Sequence, residues 1–254
     1  MLQLQQITYT FAGALEPVLN DFNLQLARGD FCVIIGANGS GKSTLMQIIA
    51  GALAPDSGQI RFKGAIASAE QRRLLVSHLV QAVDQGTLPE LTILENMVLS
   101  QRRGRRPRLA FYQRAESTIR QILQTLGQGL DRHLHAPLAT LSGGQRQMVA
   151  LLMALTAQPQ LLLLDEHTAA LDPHSAQRVM HHTAHCVAES QLTTVMITHN
   201  LEDAIQYGNR LILLQQGRIA YEIAGAAKAA LTRQALLQRF LHTLSEQKRS
   251  GRLL

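Results

Sequence analysis

The 254-residue sequence contains no tryptophan, four tyrosines and six phenylalanines, so aromatic side chains make up only 4% of it. Cysteine is equally scarce, with Cys32 and Cys186 alone. Two cysteines are too few for a disulfide framework, and Cys32 lies inside an apolar segment that reads as a strand. With 46% hydrophobic and 17% charged residues, we expect a globular protein of a reducing compartment.

Long hydrophobic runs are missing as well. The longest apolar stretches, at 151–157 and 161–165, fall far short of the roughly 18 residues needed to span a bilayer. The starting segment, MLQLQQITYTF, lacks the basic flank and apolar centre of a signal peptide. These features lead us to expect a cytoplasmic chain.

The formal charge is modestly basic, +6 with neutral histidines, and it is unevenly distributed. RRGRRPR at 102–108 brings five arginines together, and QKRSGR lies at 247–252. Two interpretations stay open: solvated segments, or a surface near anionic lipid headgroups or an acidic partner. We expect no binding to nucleic acid, because no aromatic residues alternate with the basic run to stack on bases.

Apolar periodicity predicts an α/β fold. FCVII at 31–35 and LLLLD at 161–165 are continuous apolar strands, typical of a parallel sheet covered on both faces. Near the start, apolar residues alternate with polar ones, which predicts antiparallel strands with one buried face. The alternating residues are Leu2, Leu4, Ile7, Tyr9 and Phe11, then Phe22, Leu24 and Leu26.

The domain organisation follows from where this pattern changes. From about 86 to 140, proline, arginine and glycine breaks separate helical stretches, which predicts a helical subdomain. The mainly parallel sheet and the N-terminal antiparallel β subdomain would then occupy 1–85 and 141–225. We predict a single domain over 1–240 and a helical tail over 226–254.

Several local elements can be predicted in the same way. LLVSHLVQ at 74–81 is a further strand candidate, and helices are predicted over 42–51 and 147–157. RLILLQQGRIAYEI is typical of a β-hairpin with its turn at Gln216–Gly217.

A glycine-rich loop, GANGSGKST, joins the strand at 31–35 to a helix and matches the P-loop pattern in its required context. The glycines let backbone N–H groups surround the β- and γ-phosphates of a nucleotide. Lys42 supplies a positive charge, and the Ser43 hydroxyl is suited to ligating Mg²⁺. The predicted phosphate-binding residues are Gly36, Ala37, Asn38, Gly39, Ser40, Gly41, Lys42, Ser43 and Thr44.

Two further motifs carry chemistry. LSGGQ places Ser142, Gly143 and Gly144 ahead of an apolar helix, whose N-terminal dipole of about +0.5 charge suits a phosphate. LLLLDE places two carboxylates where a buried strand ends. We expect Asp165 to hold the metal, through water, and Glu166 to polarise an attacking water.

The order of P-loop, LSGGQ, LLLLDE, ALD and then Thr198-His199 resembles the nucleotide-binding subunit of ATP-binding cassette (ABC) transporters, over roughly 2–240. The resemblance implies a P-loop ATPase that uses ATP and Mg²⁺. It also implies that two copies pair head to tail, each closing its signature loop over the ATP held by the other. That loop comprises Ser142, Gly143, Gly144 and Gln145.

The same resemblance assigns individual roles. It implies that Glu166 is the general base, that His199 contacts the γ-phosphate, and that Asp172 lies in the loop joining the two sites of the dimer. Phe11, rather than Tyr9, is expected to stack on adenine, because the family position lies just before the loop to the second strand.

The resemblance also implies a glutamine that touches Mg²⁺ and senses the membrane partner. We assign it to Gln81 rather than Gln85, because the segment GTLPELTILEN resembles a subgroup in which the loop after this glutamine is extended. His167 stands where most family members carry proline. It could contact the partner's signature region or be a harmless replacement, and the residues alone do not decide between these.

With His167 and the extended loop, the chain resembles a bacterial subgroup of importer ATPases. Members of that subgroup are found with branched-chain-amino-acid-type permeases and an extracytoplasmic binding protein. The resemblance implies import of an amino acid or similar small solute. It implies attachment to the cytoplasmic face of the membrane through a separate permease, docked near 82–104. An efflux ATPase is the alternative, because it would use the same residues. A soluble ABC ATPase outside transport is disfavoured, because the chain has neither a second cassette nor a long coiled coil.

A run of histidines on the helix predicted after LLLLDE invites a metal-site interpretation. Histidines one helical turn apart share a face, but adjacent ones point in different directions, so they cannot all bind one metal ion. We also identify no carboxylate at a matching spacing. We therefore expect a solvated helix face. The residues are His174, His181, His182, His185 and Cys186.

Overall fold

A computed structural model describes residues 1–80, 86–101, 112–125 and 129–249. The chain divides into two compact units, one made of Met1–Arg72 with Gln191–Leu254, the other of Arg73–Ser190. The sequence predicts an ATPase core over 1–85 and 141–225 and a helical subdomain over 86–140. The two compact units do not test these boundaries, which stay predictions.

The elements in chain order are as follows. The strands are β1 (Leu2–Tyr9), β2 (Leu19–Leu26), β3 (Phe31–Ile35), β4 (Ser57–Phe62), β5 (Ala65–Ile66), β6 (Val76–Leu79), β7 (Leu161–Asp165), β8 (Thr193–Ile197), β9 (Arg210–Gln215) and β10 (Arg218–Ala224). The helices are α1 (Lys42–Ala50), α2 (Ala69–Leu75), α3 (Ile93–Gln101), α4 (Tyr112–Thr125), α5 (Gly143–Thr156), α6 (Pro173–Ser190), α7 (Leu201–Gln206), α8 (Gly225–Ala229) and α9 (Arg233–Arg249). Among the described helices, none is long and apolar enough to cross a membrane.

The first unit contains two sheet regions. An antiparallel sheet has the strand order β2-β1-β4-β5, as the alternating pattern predicts. In the second sheet region, β3 pairs in parallel with both β8 and β9. β10 pairs antiparallel with β9 and forms a hairpin with it. Every residue of β3 and β8 is buried, which agrees with the continuous apolar sequence of each strand.

The second unit combines parallel strands with helices. β6 pairs in parallel with β7, from Val76 opposite Leu161 to Leu79 opposite Leu164. The middle of α5 is buried on all sides, from Gln147 to Met153. The mixed, mostly parallel architecture with an antiparallel β part confirms the predicted fold class.

Two predicted elements have different bounds in the structure. The strand predicted over 74–81 begins only at Val76, because Leu74 and Leu75 end α2. Ser68 and Gln71 start that helix with reciprocal side-chain-to-backbone hydrogen bonds of 3.2 and 2.9 Å, a capping box that the apolar pattern obscured. The helix predicted from 147 begins at Gly143 instead, because Ser142 caps it. The predicted turn at Gln216–Gly217 is confirmed.

Candidate functional site

The P-loop joins β3 to α1 in the first unit. Gly41, at φ 100°, takes a left-handed conformation immediately before the helix begins at Lys42. The Lys42 side chain is buried, and its Nζ donates to the carbonyl oxygens of Gly36 and Ala37, both at 2.9 Å. Ser43 is exposed at the start of α1, where helix N–H groups favour an anion.

His199 emerges close to this loop. β3 and β8 run parallel, with Ile34 opposite Ile197, so the segments after the two strands leave the sheet at the same edge. His199 is exposed there, and Asn200 next to it caps α7 by accepting from the N–H groups of Glu202 and Asp203. The first unit therefore places the P-loop and His199 at one edge.

Phe11 lies two residues beyond β1 and is 45% exposed. Its ring meets Tyr9 edge-on, with centroids 5.1 Å apart and an interplanar angle of 86°. Tyr9 is less exposed and supports the Phe11 ring from one side, which leaves Phe11 the better platform for a planar ligand. Its assignment to adenine stays a prediction.

The second unit positions the two carboxylates. Asp165 ends β7, and Glu166 follows it with φ 48°, a left-handed backbone that non-glycine residues rarely adopt. The Glu166 carbonyl accepts from the N–H of Ala169 at 2.9 Å, which closes a turn after the strand. This conformation costs roughly 1–2 kcal/mol and turns the chain sharply at the expected base. No pattern in the sequence indicated it. Gln81 and Gln85 lie outside the described residues, as does the basic run at 102–108.

His167 is buried, with 3% of its surface exposed. Burial lowers the pKa of its imidazole to about 4. Its Nε2 lies 3.4 Å from Thr183 Oγ1, whose hydroxyl donates to the Val179 carbonyl at 2.8 Å. The hydroxyl has one proton, so Thr183 accepts from Nε2–H. The side chain thus faces α6 of its own chain, which does not support the contact with a partner's signature loop.

The signature loop caps α5. Ser142 Oγ accepts from the N–H of Gln145 at 3.3 Å, and Gln145 Oε1 accepts from the N–H of Ser142 at 3.1 Å. Ser142 and Gly143 remain exposed, and first-turn N–H groups have no partner within a helix. At Gly144 a Cβ would lie 3.0 Å from Ser175 Cβ, so glycine permits close packing there.

Asp172 precedes α6 and is exposed. Its Oδ1 accepts from the N–H of Ser175 at 3.0 Å, and hydrogen bonds from the Ser175 side chain and backbone hold the pKa of the carboxyl below its usual value. Pro173 fills the first helical position, where proline is favoured. The structure therefore shows a capping role for Asp172, and its expected contact across a dimer stays a prediction.

The histidine run lies on α6 as a largely solvated face. His174, His181 and His185 are exposed, and His182 is partly buried. His185 Nε2 lies 3.4 Å from Glu189 Oε1, one turn further on, so a carboxylate does occur at a matching spacing, contrary to our expectation. Among the described residues, no three His, Cys, Asp or Glu side chains come together as a metal site.

A cavity of about 390 Å³ opens in the second unit. Ser77, Leu79, Leu88, Leu99 and Met153 are among its lining residues, and Leu88 and Leu99 are 52% and 46% exposed.

The buried Asn96 side chain shapes one wall of this cavity. Its amide accepts from the N–H of Leu88 at 2.8 Å and donates to the carbonyls of Leu88, Leu91 and Thr92. This network, which sequence reasoning did not identify, fixes the loop before α3.

Comparisons with known proteins show which family the chain matches. A family described as ABC transporter matches residues 19–169. The chain is 37% identical to a tyrosine transport ATP-binding protein of Clostridioides difficile (strain R20291), over 94% of this chain and 98% of that protein. It is 34% identical to a phosphonates import ATP-binding protein of Nostoc sp. (strain PCC 7120), over 87% and 92%. A dimeric ATP-binding cassette, solved in a post-hydrolysis state with ADP and Pi, has a TM-score of 0.74 at 28% identity and covers 88% of this chain and 98% of its own.

Proposed function

Because this chain belongs to the ABC transporter family, we propose that it is the ATP-hydrolysing subunit of an importer for an amino acid or similar small solute. Relatives of the chain are transport ATPases, and one of them is named for tyrosine transport. The observation that supports ATP hydrolysis is the placement of the P-loop and His199 after neighbouring parallel strands, and the choice of import rests on the relatives.

The P-loop would bind the triphosphate of ATP. Lys42 Nζ donates to two loop carbonyls and would exchange these partners for the β- and γ-phosphate oxygens when ATP binds. Phe11 would stack on adenine. His199 would contact the γ-phosphate from the neighbouring strand end.

The oxygen-donor groups of the proposed site fit Mg²⁺. Ser43 offers a hydroxyl, Asp165 a carboxylate and Gln81 an amide oxygen, and Mg²⁺ prefers oxygen ligands. Mg²⁺ is usually held by one or two protein groups together with phosphates and water, so no larger cluster of protein ligands is required. When bound, it would neutralise developing phosphate charge.

Glu166 would act as the general base, accepting a proton from the water that attacks the γ-phosphate. Its left-handed backbone sets the direction in which the chain leaves the end of β7. We assign catalysis to Glu166, His199 and Gln81, with Gln81 linking the site to the permease.

The ATPase would work as a head-to-tail dimer. Ser142, Gly143, Gly144 and Gln145 would close over the nucleotide of the second copy, and the exposure of Ser142 and Gly143 supports this. Asp172 would lie beside the dimer interface. One exposed surface then forms two composite sites by symmetry.

A separate transmembrane permease would dock at the cavity of the second unit, where Leu88 and Leu99 offer apolar surface. The complex would thereby attach to the cytoplasmic face of the membrane, and an extracytoplasmic binding protein would deliver the solute. Efflux would use the same ATPase residues, so the choice of import rests on relatives such as the phosphonates import ATP-binding protein.

The replacement Glu166→Gln tests the catalytic assignment. We expect ATP binding to persist and turnover to fall by roughly 10²–10⁴, the usual worth of a positioned base. Glu189→Gln, on the exposed face of α6, is the matched control and should leave turnover unchanged. Hydrolysis by Glu166→Gln at the wild-type rate would show that another group takes the proton.

A further inference from the structure

The turn between β9 and β10 packs against the P-loop. Gln216 and Gly217, at φ 46° and 70°, form a two-residue hairpin turn with both residues in the left-handed region. The N–H of Gly217 donates to the carbonyl oxygen of Ser40 at 3.0 Å, and the Gly217 carbonyl accepts from the N–H of Asn20 at 3.4 Å. The turn thus bridges the P-loop and the start of β2.

Steric contacts leave no room for a side chain at this turn. A Cβ on Gly217 would overlap the Val18 carbonyl oxygen and lie 2.8 Å from Leu19 Cα. At the other end of the P-loop, a Cβ on Gly36 would overlap the Leu214 carbonyl oxygen of β9. The β9–β10 hairpin therefore supports both ends of the loop.

We propose that Gly217 is a positioning residue for phosphate binding, because it holds the Ser40–Gly41 peptide in the orientation that the P-loop needs. This inference rests on the proposed ATP site. In a trans peptide the C=O and the next N–H point in opposite directions. With Ser40 O tied to the turn, the Gly41 N–H faces away from the turn, toward the phosphate side of the loop.

Without that hydrogen bond the peptide is free to flip. Gly41 has the backbone freedom of glycine, so its φ and ψ angles permit a rotation that exposes the Ser40 carbonyl to the phosphate. The phosphate would then face a negative dipole in place of a donor. A charge-assisted hydrogen bond is lost and a repulsive contact is gained.

The experiment compares Gly217→Ala with Gly64→Ala, using calorimetric titration with ATP. Gly64 also lies in a hairpin turn, between β4 and β5, at φ 85°, with nothing within 4 Å of a Cβ. Its substitution imposes comparable backbone strain away from the P-loop. We expect the Kd for ATP to rise at least about tenfold in Gly217→Ala and to stay within about twofold of wild type in Gly64→Ala.

Added controls keep the outcome decisive. If Gly217→Ala fails to fold, replacing the Gly217 amide by a backbone ester removes the N–H without adding a Cβ, and should raise the Kd similarly. Wild-type affinity in a folded Gly217→Ala protein, or in the ester, would overturn the positioning role. Failure of the wild type itself to bind ATP, or undiminished binding by Lys42→Ala, would instead overturn the proposed ATP site.

Discussion

Cys32 occupies the second position of β3 and has no exposed surface. Burial, the largest influence, raises the pKa of its thiol from 9.0 to about 12. The thiol of Cys186 on α6 is partly exposed, and burial raises its pKa as well. Burial thus opposes ionisation of both thiols.

We predict that Cys32 makes the protein less stable at alkaline pH. Above pH 9 the unfolded thiol loses its proton while the native thiol keeps it, so the native state binds more protons and the free energy of unfolding falls as pH rises. By pH 10 the loss attributable to Cys32 is about 1.4 kcal/mol. Urea unfolding at pH 8 and 10 should show this extra loss in the wild type but not in Cys32→Ala. Equal losses in the two proteins would contradict the assignment.

Lys228 of α8 links two elements of the first unit. Only 2% of its surface is exposed, and its Nζ donates to the carbonyls of Ile205 and Tyr207 at 2.5 and 2.7 Å. Burial lowers the pKa of the ammonium group. These carbonyls lie at the end of α7, whose N-terminus follows His199, so the segment after β10 holds the short helix that follows His199.

We expect Lys228→Met to destabilise the protein by about 1–3 kcal/mol, because two buried carbonyls lose a charged donor. Amide hydrogen exchange should accelerate in α7. Arg233→Met is the control, because Arg233 contacts the same helix through an exposed ion pair, 3.6 Å from Glu202. Such a surface pair is worth about 0–1 kcal/mol. Equal urea midpoints for the two variants would rule out the anchoring role of Lys228.

At the scale of the whole molecule, the proposed dimer depends on the exposed signature loop. Gly143 is the first residue of α5, and a Cβ there would meet only Leu171 Cδ2, at an ordinary 3.5 Å. An aspartate at this position fits the monomer and interacts favourably with the helix dipole. In a head-to-tail dimer, however, it would face the γ-phosphate held by the second copy.

We therefore predict that Gly143→Asp preserves stability and ATP binding but weakens ATP-dependent dimerisation at least about a hundredfold, because like charges at an interface cost several kcal/mol. Sedimentation in the Glu166→Gln background, where ATP persists, measures this directly. The asparagine in Gly143→Asn has nearly the same shape as the aspartate in Gly143→Asp but no charge. We therefore expect Gly143→Asn to dimerise more tightly than Gly143→Asp. Undiminished dimerisation of the aspartate variant would argue against the head-to-tail arrangement.

The fold class and the motif positions could be predicted because they depend on local patterns. Continuous apolar strands, the glycine-rich loop and the turn at Gln216–Gly217 each have a short-range signature. Contacts between distant segments have none, so the hydrogen bonds of Gly217 with Ser40 and of Lys228 with the end of α7 appeared only in the structure. The left-handed backbone of Glu166 was equally hidden, since glutamate does not favour it.

The Asn96 network has a consequence for how the proposed permease binds. Its hydrogen bonds order the loop at 88–92 as the chain folds, so that wall of the cavity loses its conformational entropy before any encounter. When a permease segment binds, the entropy cost of ordering then falls on that segment and not on this loop. Because the loop is already ordered, we expect the permease to associate fast. Selectivity would then depend on the shape of the permease segment that binds.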